Sequence, residues 1–461
     1  MAKKLKEPIE MEILDVRFPN RAYGVVDGKK TKVKGGIVGQ KVRIHINKRR
    51  KDYLSGSILE IIERSPLEIE GKCPHYNECG GCSYQTLSYD TELKMKEKQV
   101  KELFEREGFD DINFLGIESS PKEYEYRNKM EYTFGNEVKD GPLKLGLHKK
   151  GRFYEILDMD TCNIVDRDFT VIRKEVMDYF MEKAVPYYNK KIHKGILRHF
   201  VIRKALSTGE ILLNIVTSSQ GEVEFNELVE RLNNLNLNGE IVGFIHTIND
   251  GLADAINVDS TEIVYGRDYI IEEMLGLKFK ISPFSFFQTN TFGAEKLYSI
   301  VREFAGDIDN KVVFDLYSGT GTISQIMAPV AKKVIGIEIV EEAVLKAKEN
   351  ASLNGLTNVE FIAGDVLKEV DNLSEKPDLI ILDPPRDGIN PKAIEKIIDF
   401  SPEVFVYVSC NPVTLARDLK EFLNRGYKIK KVKCMDMFPK TGHVECIILM
   451  MYCGDKGKNR D

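Results

Sequence analysis

Strand and helix patterns alternate along the last third of the chain, and this alternation limits the folds that it can adopt. Between residues 286 and 453, apolar runs rich in β-branched residues, such as "KVVFDL" and "VFVYVS", are separated by amphipathic stretches, such as "EEAVLKAKENASLNG" and "TLARDLKEFLNRG". Strands that alternate with helices are joined by right-handed crossovers into a mostly parallel sheet. The pattern predicts an α/β domain over residues 286–461.

Two segments of different character precede this domain. Residues 1–64 contain five short alternating strands separated by Gly, Asn and Asp, which predicts a small OB-like β-barrel with an exposed basic hairpin at Asn47–Tyr53. Residues 65–285 combine a helical pattern over Asp90–Gly108 with several strand-like runs, which predicts a central α+β domain. We therefore expect the 461 residues to form three domains.

The first segment is basic, although the whole chain has a net charge of −5. Residues 1–52 carry 15 Lys and Arg against 6 Asp and Glu, a net charge of +9. A basic module on an acidic body suggests a polyanionic partner, and a solvated basic face would explain the charge equally well. Because no apolar run has the length of a membrane span and the N-terminus lacks a signal-peptide core, we expect a cytoplasmic protein with no membrane partner.

Eight cysteines in a cytoplasmic chain indicate metal binding or catalysis rather than disulfides. Cys73, Cys79 and Cys82 are spaced C-x5-C-x2-C, and Cys162 is the further cysteine available in the same domain. One compact triad with one distant cysteine suits a [4Fe–4S] cluster better than zinc, which prefers paired short knuckles. Zinc remains an alternative because His75 could serve as one of its ligands.

A glycine turn follows the first strand of the α/β domain, in "FDLYSGTGTIS". Gly319 and Gly321 allow a ligand to approach the backbone, and the helix N-terminus that follows favours polar or anionic groups. The dinucleotide fingerprint requires a third glycine where this chain has Ser324. The turn therefore predicts a nucleotide-like ligand and argues against a nicotinamide cofactor.

Acidic residues stand at the ends of four successive strands of this domain. Ligands of open α/β sheets bind at the carboxyl ends of the strands, so these acids are expected to share one rim. An acid 19 positions after Gly319 can accept hydrogen bonds from both hydroxyls of a ribose, and the acid after the third strand could meet an adenine amine. Helix capping is the alternative role for each of them. They are Asp315, Glu338, Asp365 and Asp383.

The Asp-Pro-Pro sequence that begins at Asp383 resembles that of S-adenosylmethionine-dependent methyltransferases that act on nucleobases. The next strand ends at Cys410, on the same rim. Carbon 5 of uracil becomes electron-rich when a thiolate adds to carbon 6, and a base must then remove the carbon 5 proton before the thiol leaves. Cys410 and Glu445 fit the roles of thiol and base.

The stretches "DPPRDG", "VYVSCNPVT" and "MDMFPKTGHVE" together closely resemble the RNA uracil-5 methyltransferases. The resemblance implies a Rossmann-like catalytic domain in which Cys410 is the nucleophile and Glu445 is the base. It also implies that S-adenosylmethionine lies across Gly319–Gly321, with cofactor contacts at Gln288, Tyr317, Glu338 and Asp383. Tyr317 stands where family members commonly have Phe.

Three cysteines lack such a context. We predict that they lie in the core, and that His443 only shapes a turn. The three are Cys434, Cys446 and Cys453.

The cysteine cluster and the N-terminal segment add to this resemblance. The four spaced cysteines are laid out as in the iron–sulfur members of the family, which implies that Cys73, Cys79, Cys82 and Cys162 ligate a [4Fe–4S] cluster. We expect the cluster to brace an RNA-binding surface, and a redox-sensor role stays open. The N-terminal barrel resembles a TRAM domain, an RNA-binding module, whose basic hairpin would contact phosphates through Lys48, Arg49, Arg50 and Lys51.

Within this family a TRAM domain combined with a cluster goes mostly with ribosomal RNA as substrate. The resemblance therefore implies 23S rRNA as the target, with uridine in transfer RNA as an alternative for the same chemistry. A nicotinamide dehydrogenase would explain the glycine turn and Glu338 but would leave Cys410 and Glu445 unused. A non-catalytic iron–sulfur RNA-binding protein would explain the first two domains only.

Overall fold

The structure is a computed structural model that describes residues 8–369 and 372–454. Residues 1–7 and 455–461, the outer ends of the first and last predicted domains, lie outside the described residues. The described elements form a six-stranded, a seven-stranded and an eight-stranded sheet, together with one two-stranded hairpin. In this part of the chain, no helix is both long and apolar enough to cross a bilayer.

The N-terminal sheet has the strand order β1-β5-β6-β4-β3-β2. Alternate residues of β5, such as Val42 and Ile44, are buried in its core. There are six strands rather than the five expected because the first run breaks at Ile13 and Leu14, whose N–H groups donate to Gln40 and Tyr23. The strands are β1 (Ile9–Glu12), β2 (Asp15–Arg17), β3 (Arg21–Val26), β4 (Lys29–Lys34), β5 (Lys41–Arg49) and β6 (Tyr53–Glu63).

The central segment begins with the predicted helix and continues into a sheet of order β10-β9-β8-β11-β12-β13-β14. All of its pairings are antiparallel except that of β12 with β13. Its elements are α1 (Tyr89–Arg106), β7 (Phe114–Glu118), β8 (Lys129–Gly135), β9 (Lys144–Lys149), β10 (Arg152–Asp158), α2 (Arg167–Glu182), β11 (Leu197–Lys204), β12 (Glu210–Thr217), α3 (Asn226–Asn233), β13 (Glu240–Ile248), β14 (Ser260–Gly266), and the hairpin β15 (Ile270–Met274) and β16 (Leu277–Ile281).

The C-terminal sheet is the α/β sheet that the alternating pattern predicts. Its order is β19-β18-β17-β20-β21-β23-β22-β7, with parallel pairing from β19 to β21 and an antiparallel β23. The elements are α4 (Thr291–Ala305), β17 (Val312–Leu316), α5 (Thr322–Met327), β18 (Lys333–Glu338), α6 (Glu341–Leu353), β19 (Val359–Ala363), α7 (Val366–Glu369), β20 (Leu379–Leu382), α8 (Pro391–Asp399), β21 (Val404–Ser409), α9 (Pro412–Asn424), β22 (Tyr427–Met435) and β23 (Glu445–Tyr452).

The central segment also contributes to this C-terminal sheet. Strand β7 pairs in parallel with β22 at the sheet edge, and Val100 and Phe104 of α1 belong to the same apolar core as Phe405 and Ile448. The hairpin of β15 and β16 packs with α4 in the core on the other face. The C-terminal sheet is therefore completed by residues that lie far away in the sequence.

Candidate active site

Cys410 and Glu445 leave neighbouring strands at the same edge of the C-terminal sheet. The antiparallel register of β21 and β23 pairs Ser409 with Cys446, so the next residues along each strand, Cys410 and Glu445, face each other. The thiol of Cys410 is half-buried, whereas Glu445 is only 5% exposed. The strand register thus places a partly accessible thiol beside a buried carboxyl group.

The Asn-Pro pair after Cys410 ends the strand and starts a helix. Asn411 is the N-cap of α9, because its side-chain oxygen accepts a hydrogen bond from Val413 N–H at 3.2 Å, and Pro412 occupies the first helical position. The Asn411 amide also donates to the Arg386 carbonyl at 2.9 Å. This cap fixes the loop after β20 against the thiol-bearing strand end.

Three acidic groups lie close together at this edge, and burial makes each of them a weaker acid. Burial, together with the nearby charges of Glu445 and Asp383, raises the pKa of Cys410 to about 11. Burial likewise raises the pKa of Glu445 to about 8 and that of Asp383 to about 7. Burial therefore favours the protonated form of each of the three groups.

Arg386 supplies a positive charge here, and the sequence patterns did not single it out. Its guanidinium lowers the pKa of both Cys410 and Glu445, partly through a hydrogen bond to the thiol. Burial and then the same guanidinium lower the pKa of His443 to about 4, which keeps that imidazole neutral. The available signal was the position of Arg386 directly after the Asp-Pro-Pro turn.

The glycine turn after β17 leaves a space above the sheet edge. Gly319 has φ of +54°, and a Cβ built there would meet no atom within 4 Å. Gly321 has φ of +71°, and a Cβ there would lie 2.5 Å from the Phe361 ring, so only glycine fits. Glu338 holds the turn by accepting the Gly319 N–H at 2.9 Å and the Val340 N–H at 3.0 Å.

The other two strand-end acids have local partners. Asp365 accepts the Leu367 N–H at 3.0 Å at the start of α7, which is the helix-capping role that the sequence left open. Asp315 is fully buried and accepts a hydrogen bond from the Ser324 hydroxyl of α5, and burial raises its pKa to about 6. Half-buried Tyr317 stands at the same turn, near Asp365.

The loop before α4 borders the glycine turn. The Thr320 hydroxyl donates to the Phe286 carbonyl at 3.1 Å, and the side chain of Gln288 is hydrogen-bonded to Tyr298. The Asn128 amide donates to the Gln288 carbonyl at 3.0 Å, which joins the loop to the start of β8. The structure thus brings Gln288 to the rim that also carries Gly319.

The four spaced cysteines line one cavity of about 280 Å³ in the central segment. Within the described residues, no group of three or more His, Cys, Asp or Glu side chains is arranged to hold a metal ion. The cavity itself is nonetheless suited to a group larger than one ion. Its lining includes Cys73, Cys79, Cys82 and Cys162.

Polar groups around the cavity can stabilise the cysteine sulfur atoms as ligands. Cys79 accepts the Gly81 N–H and Cys82 accepts the Gln85 amide, each at 3.4 Å, and Arg127 lines the same cavity. Burial raises the pKa of Cys82 to about 12. N–H donors and a cation are the groups that stabilise thiolates of an iron–sulfur cluster.

The remaining cysteines differ from one another. Cys434 and Cys446 are buried on adjacent strands with their sulfur atoms 3.5 Å apart, as expected for core residues. The prediction is wrong for Cys453, which is exposed because it follows the last residue of β23.

The loop of residues 436–444 connects residues 73–84, which we call the cysteine segment, to Glu445. The Lys440 carbonyl accepts N–H groups of Ser83 and Tyr84 at 2.8 and 3.0 Å, directly after Cys82. The fully buried Lys440 ammonium lies 2.6 Å from Glu123 and 3.3 Å from Glu92. The cysteine segment and the candidate base are therefore joined through one buried lysine.

Comparisons with known proteins agree with this arrangement. A sequence model of the tRNA (uracil-5-)-methyltransferase family matches residues 88–452. An uncharacterized RNA methyltransferase of Caldanaerobacter subterraneus subsp. tengcongensis is 55% identical over 96% of this chain and 98% of its own length. One from Clostridium tetani is 52% identical over 97% of this chain and 98% of its own.

A solved structure shares the whole architecture. The tRNA (uracil-54, C5)-methyltransferase of Pyrococcus abyssi, in complex with S-adenosyl-L-homocysteine, superposes with a TM-score of 0.75 at 26% identity. The superposition covers 96% of this chain and 99% of that one. The match of the family model and the relatives together show that the chain belongs to the tRNA (uracil-5-)-methyltransferase family of S-adenosylmethionine-dependent RNA methyltransferases.

Proposed function

We propose that this enzyme methylates carbon 5 of a uridine in RNA, with Cys410 as the nucleophile and Glu445 as the base. The observation that carries the proposal is the register of β21 and β23, which sets the thiol and the carboxyl group face to face. Cys410 adds through its sulfur to carbon 6 of the ring, and carbon 5 gains the electron density that it needs to accept a methyl group.

Glu445 completes the reaction. After methyl transfer its carboxylate removes the proton from carbon 5, and the electrons of that C–H bond restore the C5–C6 double bond. The bond from carbon 6 to sulfur breaks with them, and Cys410 leaves as a thiolate. A raised pKa of about 8 suits Glu445 to take up this proton.

S-adenosylmethionine supplies an electrophilic methyl group on a positively charged sulfur. The open space above Gly319, the carboxylate of Glu338 and the side chains of Gln288 and Tyr317 would hold this cofactor, and Asp383 would border its reactive end. Gly321 would let the start of α5 lie close beneath the cofactor. One carboxylate oxygen of Asp365 accepts the Leu367 N–H, and the other would accept a hydrogen bond from the adenine amine. The Pyrococcus abyssi relative was solved with S-adenosyl-L-homocysteine, which supports this assignment.

We infer that the cysteine cavity holds a [4Fe–4S] cluster through Cys73, Cys79, Cys82 and Cys162. A single zinc ion needs its thiolates about 2.3 Å from one point, whereas a cluster holds its ligands further apart around a larger body. The cavity of about 280 Å³ that all four cysteines share supports the cluster. We propose a bracing role for it, because Thr441 of the loop before Glu445 lines the same cavity.

The target is proposed to be 23S rRNA, with uridine in transfer RNA as the second candidate. The N-terminal sheet and the proposed cluster support ribosomal RNA, and the exposed hairpin at Lys48, Arg49, Arg50 and Lys51 is suited to bind phosphates. The Pyrococcus abyssi relative, which aligns over 99% of its length and is a tRNA methyltransferase, favours the alternative. Mapping of 5-methyluridine in both RNA classes, with and without the gene, distinguishes the two targets.

Two substitutions test the chemistry. We expect Cys410→Ala to abolish methyl transfer while RNA binding stays within about twofold, because the side chain is lost from the reaction and not from the RNA contact.

Glu445→Gln should accumulate a methylated RNA covalently bound to the protein, seen as a slow band on a denaturing gel. Turnover by the first variant, or no adduct with the second, would overturn the respective role.

A further inference from the structure

Two aromatic side chains project from a β-bulge at the edge of the central sheet. Strands β9 and β10 pair Lys149 with Arg152 and then His148 with Ile156. Residues 153–155 therefore have no pairing partner in β9. Phe153 and Tyr154 of this bulge are 52% and 54% exposed. Bulges aim side chains outward and are common beside functional sites. Two adjacent rings, each about half exposed, therefore form a surface at the edge of the sheet.

Cations stand over both rings. The Lys190 ammonium is 5.0 Å from the centre of the Phe153 ring, and that of Lys191 is 4.5 Å from the centre of the Tyr154 ring. The His148 imidazole lies parallel to Phe153 within 6°, with ring centres 5.0 Å apart. Rings flanked by positive charge are suited to hold a nucleobase and its phosphate together.

The surface is held in place from beneath. The Asp254 carboxylate forms an ion pair with the Lys190 ammonium at 2.5 Å and lies 3.2 Å from Nε2 of His148. The same carboxylate therefore positions the two side chains that contact Phe153. Little side-chain freedom would be lost when a ligand stacks here, which favours binding.

Strand β11 connects the support of this surface with the loop before α4. Arg203, on β11, donates to the Ser285 carbonyl at 2.9 Å in the loop before α4. Four residues earlier, His199 is 3.4 Å from Asp254. Because side chains alternate along a strand, Arg203 and His199 share a face and lie about 13 Å apart. Both side chains are buried, so β11 joins the bulge region to the loop before α4 from inside the sheet.

We propose that Phe153 and Tyr154 form a stacking platform for an unpaired base of the RNA substrate. Lys191 contacts a phosphate of the same segment. The proposal rests on the RNA substrate of the proposed function, and it adds a second point of contact outside the catalytic cleft. An exposed position on a bulge means that both rings can be removed without disturbing the core.

Binding of an oligouridylate of about twelve nucleotides to the full chain tests the platform. Affinity is measured at low salt without cofactor, so that no turnover occurs. We expect the double variant Phe153→Ala/Tyr154→Ala to lose about fivefold or more in affinity, since base stacking on an aromatic ring contributes about 1–3 kcal/mol. Tyr265→Ala is the control, because Tyr265 is 39% exposed on β14 at the opposite edge of the same sheet.

Calorimetric binding of S-adenosylhomocysteine should be equal in the double variant, the control and the original chain. A double variant that binds the oligonucleotide as tightly as Tyr265→Ala, or an original chain that does not bind it, overturns the platform. Altered self-association with unchanged RNA affinity would also overturn it, in favour of a contact between copies. Turnover by Cys410→Ala would instead remove the proposed chemistry and leave the binding result intact.

Discussion

At the scale of single residues, the site depends on one cation, Arg386, which partly offsets the effect of burial on the thiol and on its base. Cys410, Glu445 and Asp383 all have raised pKa values because burial penalises their charged forms. A thiol with a pKa of about 11 is almost entirely protonated at neutral pH, yet the reaction needs its thiolate. Arg386 lowers the pKa of the thiol and of Glu445, and the positive sulfur of the cofactor would act in the same direction.

Arg386→Met should therefore change the pH dependence of methylation. Both reactive groups work in their deprotonated forms, so the rate rises with pH. Removing the guanidinium raises both pKa values and moves this rise to higher pH. Where the rise moves by about one pH unit, we expect kcat at neutral pH to fall about tenfold, with partial recovery as the pH increases. The full pH profile of kcat is the measurement.

Arg386→Lys keeps the charge and should recover part of the loss. Arg425→Met is the matched control, because Arg425 is an exposed arginine paired with Asp399 away from the site. An Arg386→Met profile that superposes on that of the control would show that the guanidinium does not act on the two acids.

At the scale of elements, the turn between β17 and α5 is built to leave room above the backbone. Gly319 and Gly355 make a matched pair, since both have positive φ and neither would bring a Cβ within 4 Å of another atom. Only Gly319 lies at the rim where Glu338 holds the turn. The two positions therefore carry similar backbone strain and differ in what lies above them.

Gly319→Ala and Gly355→Ala should each lower the free energy of unfolding by about 1–2 kcal/mol, the cost of a left-handed conformation for a residue with a Cβ. We expect only Gly319→Ala to weaken binding of S-adenosylhomocysteine, by tenfold or more, because its methyl group enters the ligand space. Calorimetric titration and denaturant unfolding measure the two effects. Equal affinities in both variants would place the cofactor elsewhere.

At the scale of the whole molecule, the loop of residues 436–444 is where separate parts of the chain meet. Its carbonyls and the buried Lys440 contact the cysteine segment and α1, and a Cβ on Gly442 would lie 3.4 Å from Asn20 of the N-terminal sheet. Glu445 follows this loop directly. The position of the base is therefore coupled to how these segments pack.

Lys440→Met tests this coupling. Removing the ammonium leaves Glu92 buried beside Asp436 with Lys96 as their shared cation, and we expect the free energy of unfolding to fall by about 3–5 kcal/mol. Displacement of Glu445 should also make the covalent RNA adduct accumulate. Lys420→Met is the control, since its exposed ion pair with Glu107 is worth at most about 1 kcal/mol. Equal stability and equal adduct levels in both variants would contradict the coupling.

Sequence patterns determined many of the individual elements of this protein. The parallel strands from β17 to β21, helix α1 and the exposed basic hairpin all follow from local periodicity and turn residues, which act over a few positions. The same local signals put Gly319, Glu338, Asp383 and Cys410 at strand ends, where the structure has them. These features could be predicted because short-range sterics and burial decide them.

Contacts between distant parts of the chain were decided by the tertiary structure alone. The short β7 joins the catalytic sheet by pairing with β22, and its five residues carry no signal that names a partner. The charge of Arg386 at the thiol, the burial of Lys440 and the bulge at Phe153 likewise depend on which surfaces pack together. Packing sums many weak contacts over separate segments, so a local pattern does not specify it.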